Sequence, residues 1–499
     1  MCTFGFLCLA FVAIGAMQQC KILLEGTCAV YSACCGSKLK MGNKRRERIR
    51  HEVWLRLLKI INVYYMATPF VVAWYYYFNP RLSTPYYIKG NLTIILLFVM
   101  LYFLFGKTYD AFLVSHYRIF DVVSSQSLSA LLADGIMYAV LFLLIKRFPN
   151  PFVFVLMFAV QVSLSMMWTT LVHRIYFKWF PAKKSIIVYG QREGLENLIG
   201  EYGLEKKFKI IDTIGVDECI ENLSSINGAE IVFLSGIHSH ERNIILKQCL
   251  YEDKMVYLIP RIGDVIMSSA RSMHMFHLPM MRVTRYDPDP FYRVIKRTFD
   301  IVCSILALVI LSPVFLVTAI AIKATDKGPV FYKQERLTKN GKRFMIHKFR
   351  SMRVDAENDG VARLSTGEND DRITPVGRFI RKCRIDEIPQ FIDILVGNLS
   401  IVGPRPERPE IASEYEKEMP EFRLRLQAKA GLTGFAQVYG KYNTTPYDKL
   451  QMDLMYIANA GLLEDLKICF ATVKILFAPE STEGVEVGQK TAMNGEKED

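Results

Sequence analysis

The sequence contains no CxxC pair and no Cys/His cluster with the spacing of metal ligands, although it has 11 cysteines. Structural zinc sites and dithiol redox motifs depend on such patterns. The sequence therefore predicts neither kind of site. We interpret the cysteines as reduced thiols in or near the cytosol, because disulfides persist mainly in oxidising compartments.

The N-terminus lacks the basic n-region of a secretory signal peptide. Residues 1–17 are apolar but short for a membrane span, and the strongly basic segment comes later, at 38–59. We therefore expect residues 1–52 to be an apolar and then basic extension and not a signal peptide. An upstream extension without a structural role is the alternative.

Acidic residues are fewer than basic ones, 49 against 62, which gives a net charge of +13. Strongly basic proteins bind nucleic acid or anionic membrane surfaces. The hydrophobic fraction of 51% and the mean hydropathy of +0.18 are high for a soluble protein, and Lys and Arg cluster at the ends of apolar runs. We therefore expect a lipid bilayer, and no nucleic acid, as a partner.

Four apolar stretches, at 60–77, 92–105, 130–145 and 152–171, have Tyr or Trp near their ends. Each approaches the roughly 20 residues that a helix needs to cross a bilayer. They predict a four-helix membrane bundle over 53–178, since four such runs close together are unusual for buried core helices of a soluble protein. Basic segments on both sides of the bundle place its two ends in the cytosol.

Strand-like and helix-like segments alternate over 179–285, which predicts a parallel, Rossmann-like α/β domain. The strands are expected at 184–190, 208–211, 230–233 and 255–259. The turn after the first strand has Gly190 and Gly194 but lacks the second glycine of G-x-G-x-x-G, which admits a pyrophosphate. A structural or regulatory role and a bound nucleotide both stay open for this domain.

A second membrane element covers 301–322, which is uncharged and apolar. Ser312-Pro313 lies in its middle, and proline removes a backbone donor and bends a helix. Basic residues occur on both flanks, which favours a return to the same side. We expect a helix that enters the cytoplasmic leaflet and leaves it again; a kinked transmembrane helix is the alternative.

An acidic pair, Asp386-Glu387, follows a basic run and precedes Gly403-Pro404-Arg405-Pro406. Adjacent carboxylates beside cations suit the chemistry of a bound phosphate. The prolines around Arg405 restrict the backbone and aim its guanidinium, which favours a bidentate phosphate contact. Asp386 also has the pattern of an ordinary helix N-cap with Pro389 in the first turn.

Further cations are expected near this pair. Lys348 and Arg350 alternate with apolar residues and so share one face of a strand, although Arg350 also suits a solvated strand edge. Thr374-Pro375 predicts the start of a helix that carries Arg378 and Arg381 on one face. That face suits either a diphosphate or anionic lipid.

The segment from 293 to 478 resembles the bacterial sugar transferase family, the monotopic phosphoglycosyl transferases. The resemblance rests on KFRSM at 348–352, RIDEIP at 384–389, GPRP at 403–406 and AGLTGFAQV at 430–438. In the last motif Ala430 replaces a common proline and Phe435-Ala436 a frequent Leu-Trp. The resemblance implies a mostly α-helical monotopic catalytic domain over 286–479, with a re-entrant helix at about 299–323 bent at Ser312-Pro313.

The same resemblance implies a reaction and its residues. The family's segment that matches KFRSM lies at the active site, which implies diphosphate contacts for Lys348 and Arg350. Asp386 is implied as the nucleophile that takes a phosphosugar covalently, with Glu387 beside it, and Asp453 corresponds to a further acid of the family, although it also suits an exposed helical position. We expect Mg²⁺ as cofactor, held by Glu387 and Asp453 with phosphate oxygens. This mechanism requires the Asp386 carboxylate to be reachable and not buried against protein.

The predicted fold is thus a membrane α-helical bundle, a cytosolic Rossmann-like α/β domain, and a mostly α-helical monotopic catalytic domain with a re-entrant membrane helix, followed by a disordered tail at 480–499. The implied function is transfer of a hexose-1-phosphate from a UDP-sugar to undecaprenyl phosphate at the bacterial inner membrane, on its cytosolic side. A homodimer and contacts with other polysaccharide assembly proteins stay open. The rivals are a membrane-anchored nucleotide-sugar oxidoreductase or epimerase, which the incomplete glycine turn disfavours, and a non-catalytic scaffold.

Overall fold

The computed structural model describes residues 43–192, 194–353, 372–440 and 444–476. Most of the predicted N-terminal extension and the predicted tail lie outside these residues. The chain divides into two compact units. Among the described residues, the first comprises 43–105 and Ser129–Ile175, and the second comprises Gly106–Leu128 and the described residues from Tyr176 to Leu476.

The first unit is built from long apolar helices. These are α1 (Asn43–Ala73), α2 (Ile88–Thr108), α3 (Ile119–Ile145) and α4 (Pro151–Trp179). All four are long and apolar enough to cross a membrane, which confirms the four predicted helices within the part of the chain that the structure describes. Each is longer than its apolar stretch, because helical hydrogen bonding continues into the flanking residues.

Polar side chains inside this unit are paired with one another. Tyr102 donates to Asn62 Oδ1 at 3.0 Å, and Gln161 Nε2 donates to Asp134 Oδ1 at 3.4 Å. Asp134 falls within the third apolar stretch and is only 4% exposed. Burying a polar group in an apolar layer raises the free energy of the fold unless the group has a hydrogen-bond partner. These pairs therefore favour the observed packing of one helix against another.

The second unit contains a four-stranded parallel sheet in the order β2-β1-β3-β4. The observed elements agree with the predicted alternation of strands and helices. They are β1 (Lys183–Tyr189), α5 (Leu195–Glu201), β2 (Phe208–Gly215), α6 (Val216–Glu221), β3 (Ile231–Ser235), α7 (Ser239–Tyr251), β4 (Met255–Leu258) and α8 (Ile262–Ser268). Strand β3 is fully buried, as expected for the centre of a covered parallel sheet.

The remaining elements of the second unit follow a short hairpin of β5 (Arg271–Met275) and β6 (Leu278–Arg282). They are α9 (Pro290–Ile310), α10 (Ser312–Asp326), β7 (Phe331–Leu337), β8 (Arg343–Phe349), α11 (Pro375–Lys382), α12 (Gln390–Val396), β9 (Ser400–Val402), α13 (Pro409–Glu418), β10 (Gly431–Thr433), α14 (Phe435–Tyr439), α15 (Pro446–Asn459) and α16 (Leu462–Leu476). The mostly helical composition expected for 286–479 agrees with this order.

One hydrophobic core joins the α/β layer to the later helices. Ile262 and Val265 of α8 are buried in the same cluster as Leu450 and Leu454 of α15. These residues lie on opposite sides of α9 and α10 in the sequence. The chain therefore returns, after the apolar pair α9–α10, to the region that it left before that pair.

Helices α9 and α10 are bent by 61° at a one-residue break, and Pro313 lies in the first turn of α10. The predicted kink at Ser312-Pro313 is confirmed. Beyond residue 300 the helices expose apolar side chains such as Val309 and Val317, each 66% exposed. Their opposite face packs on the protein, where Phe315 and Ile322 contact Phe349 and Ile380.

The basic residues before this element are engaged by protein and do not form the free positive flank that the sequence suggested. Lys296 Nζ lies 2.8 Å from Asp465 Oδ2. Arg297 donates to the carbonyl oxygens of Ile394 and Leu395 at 2.6 and 2.7 Å. Carbonyls at the C-terminal end of a helix attract cations. Helix α9 is therefore held against α12 by Arg297 and against α16 by Lys296.

Candidate active site

Asp386 and Glu387 lie in a single 3₁₀ turn, Ile385–Glu387, between α11 and α12. Arg384 precedes the turn with φ 56°, a conformation that a non-glycine residue rarely adopts. Helix α12 begins at Gln390 with Pro389 as its N-cap and no side-chain cap bond. The Asp386 carboxylate is therefore not the N-cap of this helix, and its place in the fold needs another explanation.

Lys348, on β8, faces the acidic pair. Its Nζ lies 3.1 Å from Glu387 Oε1 and 3.9 Å from Asp386 Oδ2. Strand β8 pairs antiparallel with β7, which aligns Lys348 with Tyr332. Lys348, which the resemblance implies as a diphosphate ligand, thus lies beside the acidic pair, and its ammonium is shared unequally between the two carboxylates.

The two carboxylates have different proton affinities. Burial raises the pKa of Asp386 to about 6, and the adjacent Glu387 charge contributes, while Lys348 opposes the rise. Burial acts in the same direction on Glu387, but Lys348, Arg405 and Arg384 outweigh it and hold that pKa well below its usual range. Glu387 is therefore the fixed anion of the pair and Asp386 the group that titrates near neutral pH.

Asp386 is largely covered by protein. The residue is 9% exposed, and its side chain keeps 12% of its surface accessible. The sequence-based mechanism requires a reachable carboxylate, and the structure places Asp386 among its buried residues. Only this remaining surface of the side chain is open to a substrate.

Arg405 approaches the acidic pair from the other side, with Nη2 3.4 Å from Glu387 Oε1. Its loop is held where β9 and β10 pair in parallel. A Cβ atom at Gly403 would overlap the Lys429 carbonyl oxygen, and one at Gly431 would overlap the backbone of Gly403. Glycine is required at both positions because the two backbones cross in contact.

Asp453 lies in a neighbouring buried cluster. It is 1% exposed, so the exposed helical alternative is wrong. Its Oδ2 lies 2.7 Å from Arg425 Nη2, and the same nitrogen donates to the Arg405 carbonyl oxygen at 2.8 Å. Burial raises the pKa of Asp453 to about 6 against the opposing charge of Arg425. In this structure Asp453 supports Arg405 and does not join Glu387.

The other predicted phosphate ligands have different positions. Arg350 is 7% exposed and its guanidinium donates to the Pro329 carbonyl oxygen, so it is not on a solvated strand edge. The Thr374 cap is confirmed, since Thr374 Oγ1 accepts from Gly377 N at 2.9 Å. Of the two α11 arginines, Arg381 lowers the pKa of Asp386 by its charge, while Arg378 is exposed.

Arg384, part of the basic run that the sequence placed before the acidic pair, lowers the pKa of both carboxylates. Sequence reasoning missed two other contributors. Arg425 had no local signal, because its partners are distant in sequence. Asp393 was also missed. It is 2% exposed and fixes the residue before Lys348, accepting from His347 N at 2.9 Å and contacting His347 Nδ1 at 2.7 Å.

The donor set near Asp386 suits a magnesium ion only in part. Mg²⁺ in phosphate-transfer sites is commonly held by one or two carboxylates with phosphate oxygens and water, and Asp386 and Glu387 are adjacent carboxylates. Among the described residues no group of three or more His, Cys, Asp or Glu is placed to hold a metal. The residues thus fit an ion that arrives with a diphosphate and not a preformed protein cage.

Comparison with known proteins identifies the region around this site. Residues 291–479 match the family described as Bacterial sugar transferase. The Exopolysaccharide production protein PSS of Rhizobium leguminosarum bv. phaseoli is 39% identical over 189 residues, which cover 94% of that protein and 36% of this chain.

Two longer relatives carry names with a reaction. The UDP-glucose:undecaprenyl-phosphate glucose-1-phosphate transferase of Escherichia coli (strain K12) is 38% identical over 223 residues, 48% of that protein and 44% of this chain. The UDP-N-acetylgalactosamine-undecaprenyl-phosphate N-acetylgalactosaminephosphotransferase of Aeromonas hydrophila is 35% identical over 234 residues, 54% of that protein and 46% of this chain. The chain spans about half the length of these two relatives. It belongs to the bacterial sugar transferase family.

Proposed function

We propose that this chain transfers a hexose-1-phosphate from a UDP-sugar to undecaprenyl phosphate, which would initiate a cell-surface polysaccharide at the cytosolic face of the bacterial inner membrane. The observation that carries the proposal is the difference between the pKa values of the two adjacent carboxylates, which Lys348 contacts unequally. Glu387 is held ionised by Lys348 and Arg405, while Asp386 has a pKa of about 6. Asp386 is thus ionised at neutral pH yet basic enough to form a bond to phosphorus.

In the first half-reaction an Asp386 carboxylate oxygen attacks the phosphorus that bears the sugar. The new bond joins that oxygen to phosphorus, the bond from phosphorus to the bridging diphosphate oxygen breaks, and UMP leaves with its electron pair. Lys348 and Arg405 lie beside Glu387, where they can neutralise the diphosphate and the departing charge. The sugar-1-phosphate is then held on Asp386 as an acyl phosphate.

In the second half-reaction a phosphate oxygen of undecaprenyl phosphate attacks the same phosphorus. The bond from phosphorus to Asp386 breaks, the carboxylate is regenerated, and the sugar is joined to the lipid through a diphosphate. Mg²⁺, when bound with the substrate by Glu387, would supply further charge neutralisation of the diphosphate. The low exposure of Asp386 helps to keep water from the acyl phosphate between the two steps.

We further propose that α9–α10 is a re-entrant membrane helix and that the sheet of the second unit is a Rossmann-like domain. Three observations support re-entry: the 61° bend, the exposed apolar side chains beyond residue 300, and the core shared by α8 and α15. A crossing helix would put α8 and α15 on opposite sides of the bilayer. Re-entry holds the Asp386 turn near the depth of a lipid phosphate.

Side-specific labelling of Lys327→Cys tests this topology. Lys327 follows α10 directly and is exposed. Re-entry predicts that a membrane-impermeant thiol reagent labels this cysteine only after the cells are opened, with the unmodified chain as the background. Labelling in intact cells, from the periplasmic side, would indicate a crossing helix.

The oxidoreductase or epimerase alternative has little structural support. The α/β domain does contain a tyrosine and a lysine four residues apart, Tyr202 and Lys206. Tyr202 ends α5 and Lys206 lies in a separate 3₁₀ turn, and both are exposed. Such a pair on an open surface gives no enclosed site for hydride transfer.

Retention of labelled phosphosugar tests the proposed function. The full chain in membranes would be given Mg²⁺ and UDP-glucose, UDP-galactose or UDP-N-acetylgalactosamine carrying ³²P in the sugar-bearing phosphate. Without lipid acceptor, we expect the wild type to release UMP and keep label, and to pass the label to added undecaprenyl phosphate. Asp386→Asn should do neither, whereas the exposed control Asp217→Asn should behave as wild type. Full transfer by Asp386→Asn would overturn the proposal, and unchanged polymer production would favour the scaffold alternative.

A further inference from the structure

The carboxyl edge of the parallel sheet is where an open α/β fold usually binds its ligand. The strand order β2-β1-β3-β4 places the topological switch point between β1 and β3, and ligands of such folds lie in the crevice that the following loops form. In this chain the described residues of those loops are 190–192 after β1 and 236–238 after β3. The contacts of these loops show whether this edge of the sheet is open to a ligand.

The two loops are bonded to each other. Gly190 N donates to the Ser235 carbonyl at 2.9 Å and Gln191 N to the Gly236 carbonyl at 3.2 Å, while Ser235 Oγ donates to the Arg192 carbonyl at 3.0 Å. A Cβ atom at Gly190 would lie 2.7 Å from the Gly236 carbonyl oxygen. Two amide groups of this turn, those of Gly190 and Gln191, are therefore bonded within the protein and are not directed at a phosphate.

Arg192, in the closed loop, points to the catalytic part of the chain. Its Nη1 and Nη2 donate to Asp448 Oδ1 and Oδ2 at 2.6 and 2.8 Å. This is a bidentate pair, the arrangement in which arginine fixes orientation as well as charge. Gln451, one turn further along α15, donates to the Pro260 carbonyl. The edge expected to hold a nucleotide is therefore occupied by helix α15.

Helix α15 connects this contact to the candidate active site. It carries Asp448 in its first turn and Asp453 further along. Asp453 binds Arg425, Arg425 binds the Arg405 carbonyl, and Arg405 contacts Glu387. The chain of contacts is continuous from the switch point of the sheet to the acidic pair.

We propose that the α/β domain is a positioning module for the catalytic domain and that Arg192, acting through Asp448 and α15, sets the position of Arg405. This inference rests on the proposed function, in which Arg405 meets the diphosphate. Arg192 is a positioning residue, since its guanidinium contacts α15 and not the acidic pair. The domain has no need of a bound nucleotide in this role.

The test compares Arg192→Ala and Asp448→Ala with the charge-reversed double variant Arg192→Asp/Asp448→Arg. Arg271→Ala, on the exposed hairpin, is the matched control. We expect each single variant to raise the KM for the UDP-sugar about 3- to 10-fold with kcat changed less than about 2-fold, because positioning of a phosphate ligand mainly affects binding of substrate. The double variant should recover most of the loss, and the control should not differ from wild type.

Hydrogen exchange gives a readout that does not need activity. Arg192→Ala should increase amide exchange in 446–459 and in 403–408, with no comparable change in β1 or β3. Unchanged exchange in both segments, or a KM equal to wild type in all variants, would overturn the inference. A kcat loss without a KM change and without rescue in the double variant would also overturn it. If the wild type transfers no phosphosugar while the exchange pattern is as expected, the proposed function fails and the contact between domains stands.

Discussion

The Lys348 ammonium lies closer to Glu387 than to Asp386, at 3.1 Å against 3.9 Å. This difference helps to divide two chemically similar, adjacent carboxylates into a permanent anion and a titrating group. Interacting acids of this kind lose their protons at separated pH values. The reactivity of the candidate site follows from that division.

The pH dependence of transfer should report the ionisation of Asp386. Burial raises its pKa to about 6, and only the ionised form can attack phosphorus, so activity should be present above pH 6 and be lost as the pH falls through that value. Initial rates of UMP release between pH 4.5 and 8 would measure the midpoint. A rate that stays constant down to pH 4.5 would contradict the assignment of Asp386 as nucleophile.

Lys348→Ala should impair transfer strongly, because it removes the cation shared by both carboxylates. Removal of one preorganised charge-stabilising group typically lowers kcat by about 10²- to 10³-fold. Lys342→Ala is the matched control, since Lys342 is exposed just before the other end of β8. Steady-state kinetics with the UDP-sugar would measure both variants. Equal activity in the two would contradict a role of Lys348 in transfer.

Asp453→Ala should destabilise the chain by about 1–3 kcal/mol, because it removes the closer acidic partner of the buried Arg425 and leaves Glu407, at 3.6 Å, as its acidic partner. Asp453 and Arg425 are 1% and 5% exposed in their side chains. Glu464→Ala removes the more exposed Lys467 pair and should cost at most about 1 kcal/mol. Thermal unfolding in lipid nanodiscs would compare the two, and a similar shift for both would contradict the buried role.

Gly377→Ala should displace the start of α11 and lower stability by about 1–3 kcal/mol, as overpacking of a tight contact does. A Cβ atom there would overlap the Ser351 carbonyl oxygen, which is backbone and cannot rotate away. Gly263→Ala in α8 is the control, because no atom lies within 4 Å of a Cβ atom at that position. Gly263→Ala should be neutral or stabilising by up to about 1 kcal/mol. Equal thermal unfolding of both variants would refute the packing argument.

Features that depend on neighbouring residues were predicted well. The strand after residue 183, the helix start at Thr374-Pro375 and the break at Ser312-Pro313 follow from local patterns, and the structure shows all three. The N-cap alternative for Asp386 was wrong, because Arg384 adopts a left-handed conformation and the chain forms a separate 3₁₀ turn before α12. A pattern of residue types alone does not reveal that turn.

Charge partners were predicted less well. Lys296 and Arg297 had the pattern of a membrane flank, yet they bind Asp465 and the carbonyl oxygens of α12. Arg350 was predicted to lie on the same face of a strand as Lys348 and to contact a diphosphate. Its guanidinium donates instead to the Pro329 carbonyl oxygen. A long basic side chain has several acceptors within reach, and the choice among them depends on elements that are distant in sequence.

The sequence by itself determined the apolar helices, the α/β alternation and the presence of an acidic pair among cations, because these are encoded in periodicity and composition over short windows. Only the tertiary structure decided the charge partners. Glu387 pairs with Lys348 and Arg405, Asp453 supports Arg405 through Arg425, and Arg192 binds Asp448. Burial and the distance between charges set each pKa, and both arise only when segments far apart in the chain pack together.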